Sequence, residues 1–263
     1  METRIKITNT DVTDGLIREY HGHIVSFENV TVPIAFSVDI DNQSYAFAPP
    51  GTPDIEYNWD KFSADILVLT GGDDVFGAFE GFVVQQVYGG AGDDHIGESA
   101  YNGGMLMDGG DGNDVLSGYA SGRETMIGGN GNDTLHIVGP DKATGGAGTD
   151  TFVIAGQSGN FSSGSGSSAF ICDLQTQGSD HDTIQLGGSP FEGHDYADFT
   201  TAAADGTVGL RYAGGYTYLD LDTDRNHLPD TQIAHIKGVI APDLVNSIIL
   251  VPHASALFGV AGS

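Results

Sequence analysis

Five aspartates recur along the middle of the chain at near-constant intervals: Asp74, Asp94, Asp114, Asp133 and Asp150, separated by 20, 20, 19 and 17 residues. Four of them close one spelling, G-G-x-G-x-D-x-U-x, with U a large apolar residue. The segments are GGAGDDHIG from Gly89, GGDGNDVLS from Gly109, GGNGNDTLH from Gly128 and GGAGTDTFV from Gly145. The fifth, LTGGDDVFG from Leu69, has Leu69-Thr70 in place of the leading glycines. Glycine tolerates positive φ and close backbone approach, so such turns can aim carbonyl oxygens at one spot. The aspartate adds a carboxylate. Calcium takes six to eight oxygens in flexible geometry, backbone carbonyls included. One turn supplies too few, and two turns stacked one strand spacing apart supply enough. The residues expected to line such sites are Gly90, Gly92, Gly110, Gly112, Gly129, Gly131, Gly146 and Gly148, with the five closing aspartates. Four gaps between five turns predict four ions, the first being the weakest site because it lacks the glycine pair.

The elements that must hold these turns follow from the flanking residues. After each turn, x-U-x reads as a short strand whose middle side chain points inward: Phe76, Ile96, Leu116, Leu135 and Phe152. Two residues before each turn stands a second inward candidate: Leu67, Val87, Met107, Met126 and Ala143. The two sets predict facing ladders across a thin core, with the methionines as core filler. Repeats of this kind bury a continuous core only by stacking on one another.

Composition agrees. The 263 residues carry 36 acids against 9 Lys and Arg, a net charge of −27, and 40 glycines. Of the acids, 28 are Asp and 8 are Glu. Asp disfavours helix interiors and suits turns and hard-cation sites. So acidic a chain argues against nucleic acid or anionic membranes as partners and for cations. The single cysteine, Cys172, cannot form an internal disulfide, leaving a metal as the available staple. The first thirty residues show no signal-peptide pattern, and no apolar run is long enough to span a membrane.

The four matches to the nonapeptide closely resemble the RTX (repeats-in-toxin, haemolysin-type) calcium-binding family. The resemblance implies an all-β fold, a right-handed parallel β-roll with calcium between coils. In that family, calcium rows run along both edges. Here the connectors 75–88, 95–108, 115–127 and 134–144 lack a second tip of that spelling. Calcium is therefore expected on one edge only, with an irregular opposite edge. FICDLQTQGSDHDTIQL, from Phe170, is similar to the segment closing the roll in serralysin-like C-terminal regions. The resemblance matches Asp173 and Asp182 to acids that help complete the last site, implying a fifth ion. It also implies secretion to the exterior or cell surface by the type I route, with VPHASALFGVAGS in the position of the signal.

The expected organisation is a β-rich N-terminal cap over 1–65, the roll over 66–155, a Gly/Ser loop over 156–168, a β-rich C-terminal cap over 169–250 and a tail over 251–263. TVGLRYAGGYTYLDL, from Thr207, predicts a hairpin turning at Gly214-Gly215. The acidic stretch Asp222 to Asp230 reads either as a solvated turn or as a weak calcium site. His21 and His23 read as an ordinary polar turn rather than a transition-metal pair.

No zincin, nucleophile-elbow, P-loop or Rossmann motif occurs in the sequence. Two functions stand foremost, with a hydrolase on the irregular edge as a third reading. One is a non-catalytic structural or adhesive protein of the cell surface or matrix. The other is an accessory module of a secreted polysaccharide-modifying or other hydrolytic enzyme. A glycan or cell-surface polymer is expected, if anywhere, on the edge opposite the glycine turns, where Tyr101, Asn102, Tyr119, Arg123, Glu124 and Lys142 lie.

Overall fold

The computed structural model describes residues 4–6, 20–27, 35–39, 44–48, 62–78, 84–98, 104–118, 123–155, 168–187, 191, 196–222, 226–229 and 231–251. Within these, the short apolar-centred runs form strands that alternate between two sheets, so that each coil adds one strand to each.

The first sheet runs, in spatial order, through Arg4–Lys6, Tyr20–Ser26, Phe62–Val68, Gln86–Ala91, Leu106–Asp111, Thr125–Asn130, Lys142–Ala147, Ala169–Ile171, Thr231–Lys237, Tyr216–Leu221 and Val208–Ala213. The second runs through Ile248–Val251, Thr183–Gly187, Thr151–Ala155, Thr134–Ile137, Val115–Ser117, His95–Glu98, Val75–Ala78, Ala35–Asp39 and Ser44–Ala48. Every pairing through the repeats is parallel and in constant register. The fold is a parallel β-roll.

The register aligns the inward ladders. Leu67, Val87, Met107, Met126 and Ala143 pair in sequence across the first sheet, and Phe76, Ile96, Leu116, Leu135 and Phe152 across the second. All ten are buried. The ladders continue past the repeats through Ile171 and Ile236 on one side, and Ile184 and Ile248 on the other. The chain after residue 168 thus extends both sheets of the roll rather than sitting on it as a separate lid. The strands before residue 66 extend them likewise at the other end.

The hairpin expected around Gly214-Gly215 is present: Val208–Ala213 pairs antiparallel with Tyr216–Leu221, which pairs antiparallel with Thr231–Lys237. Antiparallel strands thus end the first sheet, and Ala35–Asp39 with Ser44–Ala48 end the second. A short helix, Phe199–Ala204, is capped by the Asp198 side chain and buries Phe199 and Ala202. His21 and His23 belong to the strand Tyr20–Ser26, not to a turn. The Gly/Ser segment 156–167, residues Tyr101, Asn102 and Tyr119, and the tail from 252 lie outside the described residues.

Candidate metal centre

The glycine turns connect the first sheet to the second along one edge, and their backbone follows from the spelling. Gly110 has φ +110 and Gly112 φ +145, conformations that side chains rarely adopt. Space forbids a side chain as well. A methyl on Gly112 would lie 1.9 Å from the carbonyl oxygen of Gly92 in the preceding coil, and one on Gly110 would lie 2.2 Å from that of Gly90. The same positive φ values recur at Gly90, Gly92, Gly129, Gly131, Gly146 and Gly148. Columns of carbonyl oxygens therefore stack under the turns, one coil above the next.

The closing aspartates form a ladder beside these columns. The Asp74 N–H donates to Asp94 Oδ1 (2.8 Å), that of Asp94 to Asp114 (2.8 Å), and that of Asp114 to Asp133 (2.8 Å). The Asp133 N–H donates to Asp150 Oδ1 (2.9 Å) and that of Asp150 to Asp182 Oδ1 (2.9 Å). The six carboxylates are buried. One oxygen of each after Asp74 is thus accounted for by the coil before it, and Asp74 Oδ1 accepts the Thr70 hydroxyl of its own turn.

The second oxygen divides the ladder into ends and middle. At the ends it meets backbone: Thr70 N–H donates to Asp74 Oδ2 (2.7 Å) and Gln175 N–H to Asp182 Oδ2 (2.7 Å). In the middle, Oδ2 of Asp94, Asp114, Asp133 and Asp150 is buried with no hydrogen-bond partner. Each points at the first glycine of its own turn. A methyl on Gly109 would lie 2.1 Å from Asp114 Oδ2 and 2.7 Å from the Gly128 carbonyl oxygen. At Gly128 the same test finds Asp133 Oδ2 at 2.2 Å and the Gly145 carbonyl at 2.5 Å. A carboxylate oxygen and a carbonyl of the next coil converge on one point, coil after coil.

Buried acceptors left without donors are costly and rare in folded proteins. Burial accordingly pushes the carboxyls up, Asp94 to about 8, Asp133 to about 7, and Asp114 and Asp150 to about 6. Neighbouring acids of the ladder push the same way, against the amide bonds that lower them. A hard cation answers this arrangement, because carboxylate and carbonyl oxygens are calcium's ligand set. The atoms that stand beside these carboxylate oxygens at Gly89, Gly109 and Gly128 are backbone carbonyl oxygens, and among the described residues no three His, Cys, Asp or Glu side chains converge. That composition suits calcium and not a transition metal.

The expected residues separate accordingly. Asp94, Asp114, Asp133 and Asp150 offer an oxygen to a cation. Asp74 gives its second oxygen to the Thr70 amide and hydroxyl, so the degenerate first turn closes the ladder. Asp182 takes the next rung, accepting the Asp150 amide, and the Gln175 amide takes its second oxygen. Asp173 stands apart from the rungs and accepts the Gly145 and Gly146 amides at 3.0 Å each. It crowns the last turn where a further coil would otherwise lie.

Two features went unread in the sequence. An exposed Asx ladder runs beside the buried one: Asp93 N–H donates to Asp73, Asn113 to Asp93, Asn132 to Asn113 and Thr149 to Asn132. Its signal was available, since Asp or Asn precedes four of the five closing aspartates. The second feature lies on the opposite edge, which is not merely irregular. Glu124 and Asp141 are both buried there, the Glu124 N–H donates to Asp141 Oδ1 (3.1 Å), and the Gly104 N–H donates to Glu124 (3.3 Å). Burial first, and then the Glu124 side chain hydrogen-bonded to it, push the Asp141 carboxyl up to about 8.

In Asp222–Pro229, the Asp222 side chain is buried and accepts the Asn226 and His227 amides (3.2 and 2.6 Å). The carboxylate is thus a turn-former there; residues 223–225 and 230 lie outside the described set.

No family model and no curated protein matches the chain. Among solved structures it is similar to the AlgE6R2 subunit of the Azotobacter vinelandii mannuronan C5-epimerase, at 25% identity over 70% of this chain and 91% of that one, with a TM-score of 0.29. It is also similar to the extracellular lipase LipA from Serratia marcescens, at 14% identity over 95% of this chain and 34% of that one, with a TM-score of 0.22. This chain therefore spans about a third of the lipase, and at these scores the roll rests on its own strand register rather than on either likeness.

Proposed function

We propose that the chain is a calcium-binding module whose roll folds on the cation, with a non-catalytic structural or adhesive role outside the cell, at the surface or in the matrix. The observation that carries this reading is the stack of four buried aspartate oxygens without hydrogen-bond partners, those of Asp94, Asp114 and Asp133 each converging with a glycine carbonyl of the next coil on one point. Four cations there would satisfy the carboxylates and offset part of the net charge of −27. Ions that bind only the folded form stabilise it by mass action, and stacked turns that share ions fold together. Extracellular calcium modules work at about 0.1–1 mM affinity, so such a chain folds where calcium is abundant and stays open where it is scarce. This fits export before folding, by the type I route that the nonapeptides imply.

The test is direct. Circular dichroism in EDTA should show a largely disordered chain, and added calcium should restore β signal cooperatively with about four ions bound. A β signal unchanged by EDTA would overturn the reading.

A further inference from the structure

The outward face of the first sheet changes character where the repeats end. Register places Lys142 beside Phe170, Phe170 beside His235, His235 beside Tyr218, and Tyr218 beside Arg211. Five neighbouring strands thus carry one continuous cross-strand row, with three rings in the middle and a cation at each end. Four strand steps make it about 19 Å long. Ring centroids lie 4.5 Å apart between Phe170 and His235 and 5.0 Å apart between His235 and Tyr218. The Arg211 guanidinium sits 4.3 Å over the Tyr218 ring.

The row is open to solvent. Phe170 is 37% exposed, the Arg211 side chain 54%, and Lys142 and Lys237 are exposed. Tyr216, paired with Lys237, adds a ring beside the row, 6.0 Å from Phe170. Polar groups lie among the rings: Ser168 bonds His235 Nε2, Gln232 bonds Ser168, and Arg211 donates to Gln232. Arg211 also faces Asp220 at 3.6 Å.

The structure assigns this row as a binding face for a carboxylate-bearing polysaccharide. Charge selects the acid. Three of the nine Lys and Arg residues of a chain with net charge −27 stand on this patch, while Asp220 faces Arg211 and also acts on His235. A guanidinium already held over a tyrosine ring keeps donors for a carboxylate at reduced entropic cost. The rings select the sugar. Aromatic faces are apolar surfaces with polar neighbours, and their regular spacing across strands suits a polymer of repeated rings more than a protein surface with one apolar centre. The inference goes beyond the calcium reading in naming ligand and face, and depends on it only in that calcium keeps the strands together.

The test uses the full chain in calcium, with polygalacturonate and polymannuronate as probes. Neutral dextran and poly-glutamate serve as controls, with affinities read by isothermal titration calorimetry and gel retardation. The expected result is binding to at least one polyuronate that weakens with added salt, and clearly weaker binding to both controls. Arg211→Gln with Lys237→Gln alters only exposed side chains and should weaken polyuronate binding about tenfold. Phe170→Ala with Tyr218→Ala should weaken it by a similar factor. Polyuronate binding absent in wild type, unchanged in the Arg211/Lys237 variant, or matched by dextran or poly-glutamate overturns the assignment. Circular dichroism with and without calcium on the same samples keeps this outcome separate from failure of the calcium reading.

Discussion

The two edges of the roll meet the same difficulty, a carboxylate buried at a turn, and resolve it differently. On the glycine edge, four aspartates keep one oxygen on the amide of the preceding coil and leave the other without a hydrogen bond, beside a glycine carbonyl at Asp94, Asp114 and Asp133. On the far edge, Glu124 and Asp141 turn to each other, with the Asp141 carboxyl pushed up by burial and by its neighbour. One edge leaves carboxylate oxygens open to a cation, and the other raises a carboxyl toward its protonated form. What separates them is backbone. Glycine pairs bring carbonyl oxygens up to the carboxylate, whereas without them a buried acid finds another acid.

The largest effect that sharpens this contrast comes from Asp114→Ala. It removes a rung and a cation ligand together, and should cost about 3 kcal/mol or more in calcium and lower the number of bound ions. Asp74→Ala, at the capped end, should cost less and leave the bound calcium unchanged; calcium counting by atomic emission beside denaturant melts compares the two. Equal calcium loss in both would erase the distinction between ends and middle.

Next come the glycines. Gly112→Ala meets both a positive φ and a carbonyl at 1.9 Å, and should destabilise by at least about 3 kcal/mol. Gly214→Ala in the hairpin, at φ +61 with open space around it, should cost about 1 kcal/mol. Thermal melts of the two variants in calcium measure the gap, and similar losses would mean that carbonyl stacking is not what the glycines serve.

Dependence on pH follows in size. Asp94, Asp114, Asp133 and Asp150 have folded-state values of about 6 to 8 against 3.8 when unfolded. In metal-free protein they therefore oppose folding as pH rises from about 4 to about 8, and the penalty is absent below that window. Calcium requires the ionised form, so protons compete with it. Metal-free protein should be more ordered at pH 5 than at pH 8, while half-folding should need more calcium at pH 5. A calcium midpoint independent of pH would contradict the raised values.

The smallest effect is expected at Glu124→Gln, which replaces one partner of an acid pair by a neutral isostere. Melting in calcium should show a change within about 1 kcal/mol and no loss of bound ions. Loss of an ion would make the far edge a second cation row and break the comparison.

Much of this was legible beforehand because it is local and periodic. The inward ladders follow from x-U-x spacing, and the turns from Gly and Asp at fixed offsets. The division of the ladder was not legible. Thr70 and Gln175 close its ends through backbone amides, which no residue type advertises. The Glu124–Asp141 pair was hidden because its turns share no spelling. The aromatic row joins Phe170 to His235, residues brought side by side only after a hairpin intervenes, and no local pattern encodes that pairing.

The ladder also has a direction, which bears on the order in which coils are laid down. Each buried aspartate amide donates to the carboxylate of the coil that follows it in sequence, from Asp74 through to Asp182. A roll growing from its N-terminal end would carry a donor without an acceptor at its tip at every step. Growth from the other end meets a waiting carboxylate each time, beginning at Asp182, already steadied by the Gln175 amide seven residues before it. The exposed Asx ladder runs in the opposite sense, but water can serve its amides in the meantime. The direction of the buried bonds therefore predicts that the last coil serves as template and that winding starts from the C-terminal side.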